Sequence, residues 1–78
     1  MIMKKIIDGI LYDTATMTEV HCDDYGNEEY HLYYTDSGKY FLHSIWYDDD
    51  CNITFEDLID DTERQMKNHE WIDRVLNG

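Results

Sequence analysis

Carboxylates are the chemistry this sequence offers in quantity. Eighteen Asp and Glu stand against six Lys and Arg in 78 residues, a formal net charge of −12. They gather at Asp23, Asp24, Glu28 and Glu29, at Asp36, at Asp48, Asp49 and Asp50, and at Glu56, Asp57, Asp60, Asp61 and Glu63. Between Asp8 and Leu58 the sole Lys or Arg is Lys39. Same-side neighbours on a strand are about 6.6 Å apart. Helical neighbours three or four residues apart are separated by about 5–6 Å. Successive phosphates of a nucleic-acid strand have similar separations, so a folded acidic face can imitate a backbone. A basic channel that accepted it would release counterions as it does with DNA. The competing reading is a solvated surface that keeps a small protein soluble. Such surfaces usually mix both signs, and this one does so little.

Other chemistry is sparser. Asp48-x-Asp50-x-Asn52 opens like an EF-hand loop, but Ile53 stands where that loop needs Gly and Ile59 where it needs a bidentate Glu. His21, Cys22, His31, His43, Cys51 and His69 are zinc-ligand types without C-x2-C or H-x3-H spacing. A cross-strand His31/His43 pair would supply two ligands only. Neither a metal nor a cofactor is expected. There is no Gly-rich phosphate loop, no G-x-S-x-G and no H-E-x-x-H. Among eighteen carboxylates an acid/base pair carries no information. No enzyme is expected. Trp46 and Tyr47 border the acidic clusters and are candidate interface anchors, with core packing the alternative; Trp71 reads as core.

The elements that position these groups belong to a folded domain. A chain with 42% hydrophobic and 14% aromatic residues is not a disordered acidic tail. Residues 1–78 read as one domain, β-rich over 4–47 and helical over 54–76, with a thin stability margin at this size. Asp8-Gly9 between apolar pairs signals a type I′ hairpin. Alternation predicts a strand over Thr14–Cys22, followed by a turn over Asp23–Asn27. Tyr30–Thr35 and Lys39–Tyr47 read as strands joined by Asp36-Ser37-Gly38, with Gly38 in the left-handed region. That loop pairs Tyr33 with Phe41 and His31 with His43. Tyr30, Leu32, Tyr34, Tyr40, Leu42 and Trp46 then share one face, and Tyr33, Phe41 and Ile45 the other. One face is expected to pack on the helix. Thr54 reads as its N-cap, with a 3.6-residue apolar stripe following.

Cys22 and Cys51 are too few for a disulfide framework and read as reduced thiols of a cytosol. Lys4 and Lys5 precede short apolar pairs broken by Asp8-Gly9, which is not a signal-peptide pattern. No apolar run approaches the roughly 20 residues that span a bilayer. The acidity argues against direct binding of DNA, RNA or an anionic membrane.

Lys5-Ile6-Ile7-Asp8-Gly9 and Tyr12-Asp13-Thr14-Ala15-Thr16 resemble the opening K-I-I-x-G-x-x-Y-D-T-x-T of a family of short proteins from bacteria and mobile elements. Leu32-Tyr33-Tyr34-Thr35-Asp36-Ser37-Gly38-Lys39-Tyr40-Phe41-Leu42 resembles that family's hairpin L-Y-x-T-x-x-G-x-Y-F-L. The chain departs after His43, where Ser44-Ile45-Trp46-Tyr47 and the Asp48–Asp50 run replace a Gly-rich segment. Size and acidity are also similar to those of anti-CRISPR proteins, small phage and mobile-element products that block CRISPR effectors.

The expected fold is α+β, an antiparallel sheet of three to five strands with one C-terminal α-helix. The expected function is that of an anti-CRISPR-like inhibitor in the cytoplasm of a host bacterial cell. As an acidic DNA mimic it would occupy a basic nucleic-acid-binding groove, a CRISPR effector subunit being the expected partner. Asp23, Asp24, Glu28, Glu29, Asp36, Asp48, Asp49, Asp50, Glu56, Asp57, Asp60, Asp61, Trp46 and Tyr47 are the candidate contacts. The alternative is an adaptor binding a protein through the aromatic sheet face, its acidity serving solubility. Monomer and homodimer both stay open.

Overall fold

The computed structural model describes residues 2–68. The fold is α+β: a two-stranded and a four-stranded antiparallel sheet followed by a C-terminal helix. Strands β1 (Lys4–Ile7) and β2 (Ile10–Asp13) form the hairpin expected from Asp8-Gly9. Both turn residues have positive φ, 53° and 79°, which a type I′ turn requires. A 3-10 turn, Thr14–Thr16, follows, with the Asp13 side chain accepting a hydrogen bond from the Ala15 N–H.

The larger sheet is a meander in which neighbours in sequence are neighbours in space: β3 (Thr18–Asp24), β4 (Glu28–Tyr34), β5 (Tyr40–Tyr47) and β6 (Ile53–Asp60). The β4–β5 register pairs Tyr33 with Phe41 and His31 with His43, as the Gly38 turn predicts. Gly38 has φ 87° and donates to the Thr35 carbonyl.

Three boundaries differ from the sequence reading. Thr14–Thr16 is not strand, because Asp13 and Thr14 cap a turn there: Thr14 Oγ1 accepts the Met3 N–H at 2.9 Å. Strand β3 instead reaches Asp24, taking Asp23 and Asp24 out of the expected turn. The third correction is larger. Residues 54–60, expected as the start of the helix at Thr54, form strand β6. Ile53, Thr54, Phe55 and Ile59 are β-branched or aromatic and favour a pleated surface. Pairing with β5 from Phe41↔Asp60 to Tyr47↔Ile53 satisfies that strand's second edge, and period-two alternation sinks Leu58 into the core. Over eight residues both periods fit the apolar positions, so long-range pairing decided between them.

The helix begins only after Asp61. Over residues 62–68 it is helical; the remainder of the expected helix, 69–76, lies outside the described residues. The Asp61 carbonyl accepts the first helical bond from the Gln65 N–H at 3.1 Å. Asp60 Oδ1 accepts the Thr62 N–H at 2.9 Å.

The core sits on one face of the larger sheet. Phe41, His43, Ile45 and Leu58 are fully buried there. The β1–β2 hairpin closes this face through Tyr12, whose ring centroid lies 4.4 Å from that of Phe41, and Lys5 ties the hairpin to the edge strand β6 by a hydrogen bond to Asp57. Among the described residues it is the hairpin that covers the buried face. The opposite face carries Leu32, Tyr34, Leu42, Trp46, Phe55 and Ile59. Among the described residues it is open around Trp46, which is 43% exposed, and around Phe55 and Ile59, each 44%.

Candidate functional site

The meander brings the β3–β4 and β5–β6 turns to the same end of the sheet. A hydrogen bond from the Tyr47 N–H to the Asn27 carbonyl, 2.8 Å, ties them together. This juxtaposes Asp23, Asp24, Glu28 and Glu29 with Asp48, Asp49 and Asp50, groups about twenty residues apart in sequence. Local chemistry shapes each turn. Asp24 Oδ1 accepts the Gly26 N–H at 2.9 Å. Asp48 Oδ1 accepts the N–H groups of Asp50 and Asn52, each at 2.9 Å. Those bonds, Asn52's first, hold the Asp48 carboxyl below the usual carboxylate range. Asp24 and Asp48 thus shape their turns, and Asp24, Glu28, Asp49 and Asp50 are exposed to solvent.

No Lys or Arg pairs with this pole among the described residues. Lys4 lies 3.9 Å from Asp13, Lys5 bonds Asp57, Arg64 lies 2.8 Å from Asp61 and Lys67 3.1 Å from Glu63. Lys39 donates to the Tyr12 hydroxyl. Partners at the pole include His21, 3.0 Å from Asp23, His31, 3.5 Å from Glu29, and the hydroxyls of Tyr30 and Tyr47, which donate to Glu28 and Glu29 at 3.2 and 3.0 Å. The hydrogen bond to Glu29, then lost hydration and surrounding carboxylate charge, push the Tyr47 phenol up from its ordinary value. Tyr47 remains a proton donor.

The other candidate carboxylates lie elsewhere. Asp36 is in the β4–β5 turn, and Asp60 and Asp61 are also at that far end. Glu56 and Asp57 sit mid-strand in β6. Asp61 is buried and accepts hydrogen bonds from Arg64 and Gln65. Glu56 bonds Nε2 of the buried His43 at 2.8 Å. The expected helical acidic face, Glu56/Asp57/Asp60/Asp61, is absent because these residues are on a strand or at its end.

Trp46 and Tyr47 have separate settings. The Trp46 indole N–H donates to the Tyr30 hydroxyl at 3.3 Å, and its ring lies 5.0 Å from that of Phe55 on the open face. Beside it, Tyr25, Tyr30, Leu32, Leu42, Arg64 and Gln65 line a groove of about 370 Å³.

One constellation escaped the sequence reading. Glu19, Cys22 and His31 offer ligand atoms that lie within 4.8 Å of one another. Strict alternation puts residues 19 and 22 on opposite faces. A β-bulge at Val20, where the register passes from Glu19↔Tyr33 to His21↔Leu32, returns both to one face. Cys22 is then the direct cross-strand partner of His31. His31 Nδ1 is hydrogen-bonded to Glu19, and its Nε2 is 3.5 Å from Glu29. Lost hydration, then the charges of Glu19, Glu29, Asp23 and Asp24, push the Cys22 thiol up from its ordinary value.

No protein-family model, curated protein or solved structure matches the chain. Among the described residues no helix is long and apolar enough to cross a membrane.

Proposed function

We propose that this chain is a non-enzymatic inhibitor of the anti-CRISPR type, an acidic nucleic-acid mimic that occupies a basic groove of a CRISPR effector subunit in the host cytoplasm. The observation that supports this reading is the pole formed by two turns: seven carboxylates without a Lys or Arg partner among the described residues. Charges of one sign at close quarters repel, and a groove lined with Lys and Arg removes that repulsion while losing its own counterions. The CRISPR effector as target rests on the likeness in size and acidity to anti-CRISPR proteins and on the N-terminal resemblance to the mobile-element family.

The test is target-DNA binding by purified CRISPR effector complexes, with and without the protein, at two salt concentrations. The wild-type chain should compete with DNA, and higher salt should weaken the competition. Reversing Asp23, Glu28, Asp49 and Asp50 together to Lys should abolish competition without unfolding the chain. Competition that survives this variant unchanged would sink the electrostatic mimic.

The open face of Trp46, Phe55 and Ile59 favours a second reading, an adaptor that docks a protein partner there. It predicts binding that is insensitive to salt and weakened by Trp46→Ala.

A further inference from the structure

We propose that Glu19, Cys22 and His31 form a binding site for a divalent transition-metal ion of the zinc class. This goes beyond the mimic reading and does not depend on it. The donor set is a thiol, an imidazole and a carboxylate. Thiolate and imidazole suit zinc and its transition-metal neighbours, whereas calcium and magnesium take oxygen ligands.

The geometry is close to that of a bound ion. Bonds of about 2.0–2.3 Å to a tetrahedral zinc place ligand atoms roughly 3.3–3.8 Å apart. The three candidate atoms already lie within 4.8 Å of one another, so small side-chain rotations complete the set. The backbone arrangement is built in: Cys22 and His31 face each other across β3 and β4, and the Val20 bulge adds Glu19 to the same face.

The surroundings of His31 provide a second, independent argument. Glu29 Oε2 lies 3.5 Å from His31 Nε2, and the Tyr47 hydroxyl donates to the same Glu29 oxygen at 3.0 Å. A carboxylate behind an imidazole is the usual outer support of a ligating histidine, fixing its tautomer and orientation. The rings of Tyr33 and His43, with centroids 6.3 and 6.0 Å away, flank the imidazole. Glu19 and Cys22 are exposed, which leaves an ion's fourth position to water.

Binding forms metal–sulfur, metal–nitrogen and metal–oxygen bonds. The Cys22 S–H bond breaks and its proton passes to solvent. The ion takes the place of the Nδ1 proton between His31 and Glu19: that proton passes to solvent and Nε2 takes one from solvent, facing Glu29, so the imidazole stays neutral with no net change in its protons. No change of oxidation state is involved.

The test uses the full, reduced chain. Zinc affinity is measured by competition with a chromogenic chelator, and cobalt is added as a spectroscopic substitute. One zinc per chain should bind. The cobalt form should show a near-ultraviolet sulfur-to-cobalt charge-transfer band. Cys22→Ser should remove the band and weaken zinc binding about tenfold or more, and Glu29→Gln should weaken it by about tenfold with the band retained. Cys51→Ser, at the other exposed thiol, should change neither. Circular dichroism confirms that each variant is folded. A wild-type cobalt spectrum without the charge-transfer band would overturn the site. So would a Cys22→Ser protein with full zinc affinity, since ions would then be held by surface carboxylates alone.

Discussion

Asp57 shows how a single carboxylate here can serve folding rather than display. Its pKa is lowered, first by the hydrogen bond from Lys5, then by the Leu58 N–H and the Lys5 charge, against an opposing loss of hydration. A carboxyl whose folded pKa is lowered stabilises the fold above its unfolded value. That stabilisation is lost as pH falls through the lowered, folded value. Asp57→Asn should therefore reduce Tm at neutral pH. The gap from wild type should close as the solution is acidified below the ordinary Asp range. Thermal melts of the two proteins across pH measure this directly, and a gap that stays constant to low pH would assign the loss to packing instead. The buried Asp61 also serves folding through its contacts, as acceptor for Arg64 and Gln65. Asp49 and Asp50, exposed at the acidic pole, do not.

At the scale of elements, two irregularities position the chemistry. The Val20 bulge collects Glu19, Cys22 and His31, and the tight turn at Asp48 carries Asp49 and Asp50 beside the β3–β4 turn. The bulge leads to a prediction that simple alternation would reverse. Deleting Val20 leaves Glu19↔Tyr33 and His21↔Leu32 as consecutive rungs of an unbroken ladder. Glu19 should therefore keep its hydrogen bond to His31. The His31 imidazole resonances should stay close to their wild-type positions, whereas a Glu19 placed by ordinary alternation would lose the contact and shift them. The legible part of the fold lies where short-range chemistry is decisive. Asp8-Gly9 and Gly38 announce their turns because positive φ is costly elsewhere, and with them comes the His31↔His43 register. Strand β6 was not legible, since eight residues with apolar groups at both periods become a strand only when β5 lies alongside.

At the scale of the whole molecule, charge is sorted along the sheet. The pole with Asp23, Asp24 and Asp48–Asp50 lacks Lys and Arg partners among the described residues, while Lys4, Lys5, Arg64 and Lys67 pair elsewhere. Neutralising the pole should relieve repulsion, and neutralising a buried, bonded carboxylate should not. Asp49→Asn with Asp50→Asn should raise Tm slightly or leave it unchanged, by an amount that shrinks in salt. Asp61→Asn should lower Tm, because Arg64 and Gln65 then lose a charged acceptor. Equal losses from both variants would mean that the pole is structural rather than displayed.

The sequence by itself determined the charge of −12, the two glycine turns and the register of the central hairpin, because composition and turn geometry are local properties. It could not determine which carboxylates meet. The pole joins residues from two turns that only the meander makes neighbours, and Glu19 reaches Cys22 and His31 only through a bulge that breaks the alternation read from sequence. Likewise, among the described residues it is the hairpin that closes the core, because Tyr12 and Phe41 meet only once the two sheets are packed. These are products of long-range pairing, where one strand's conformation depends on its neighbour and no local pattern carries the answer.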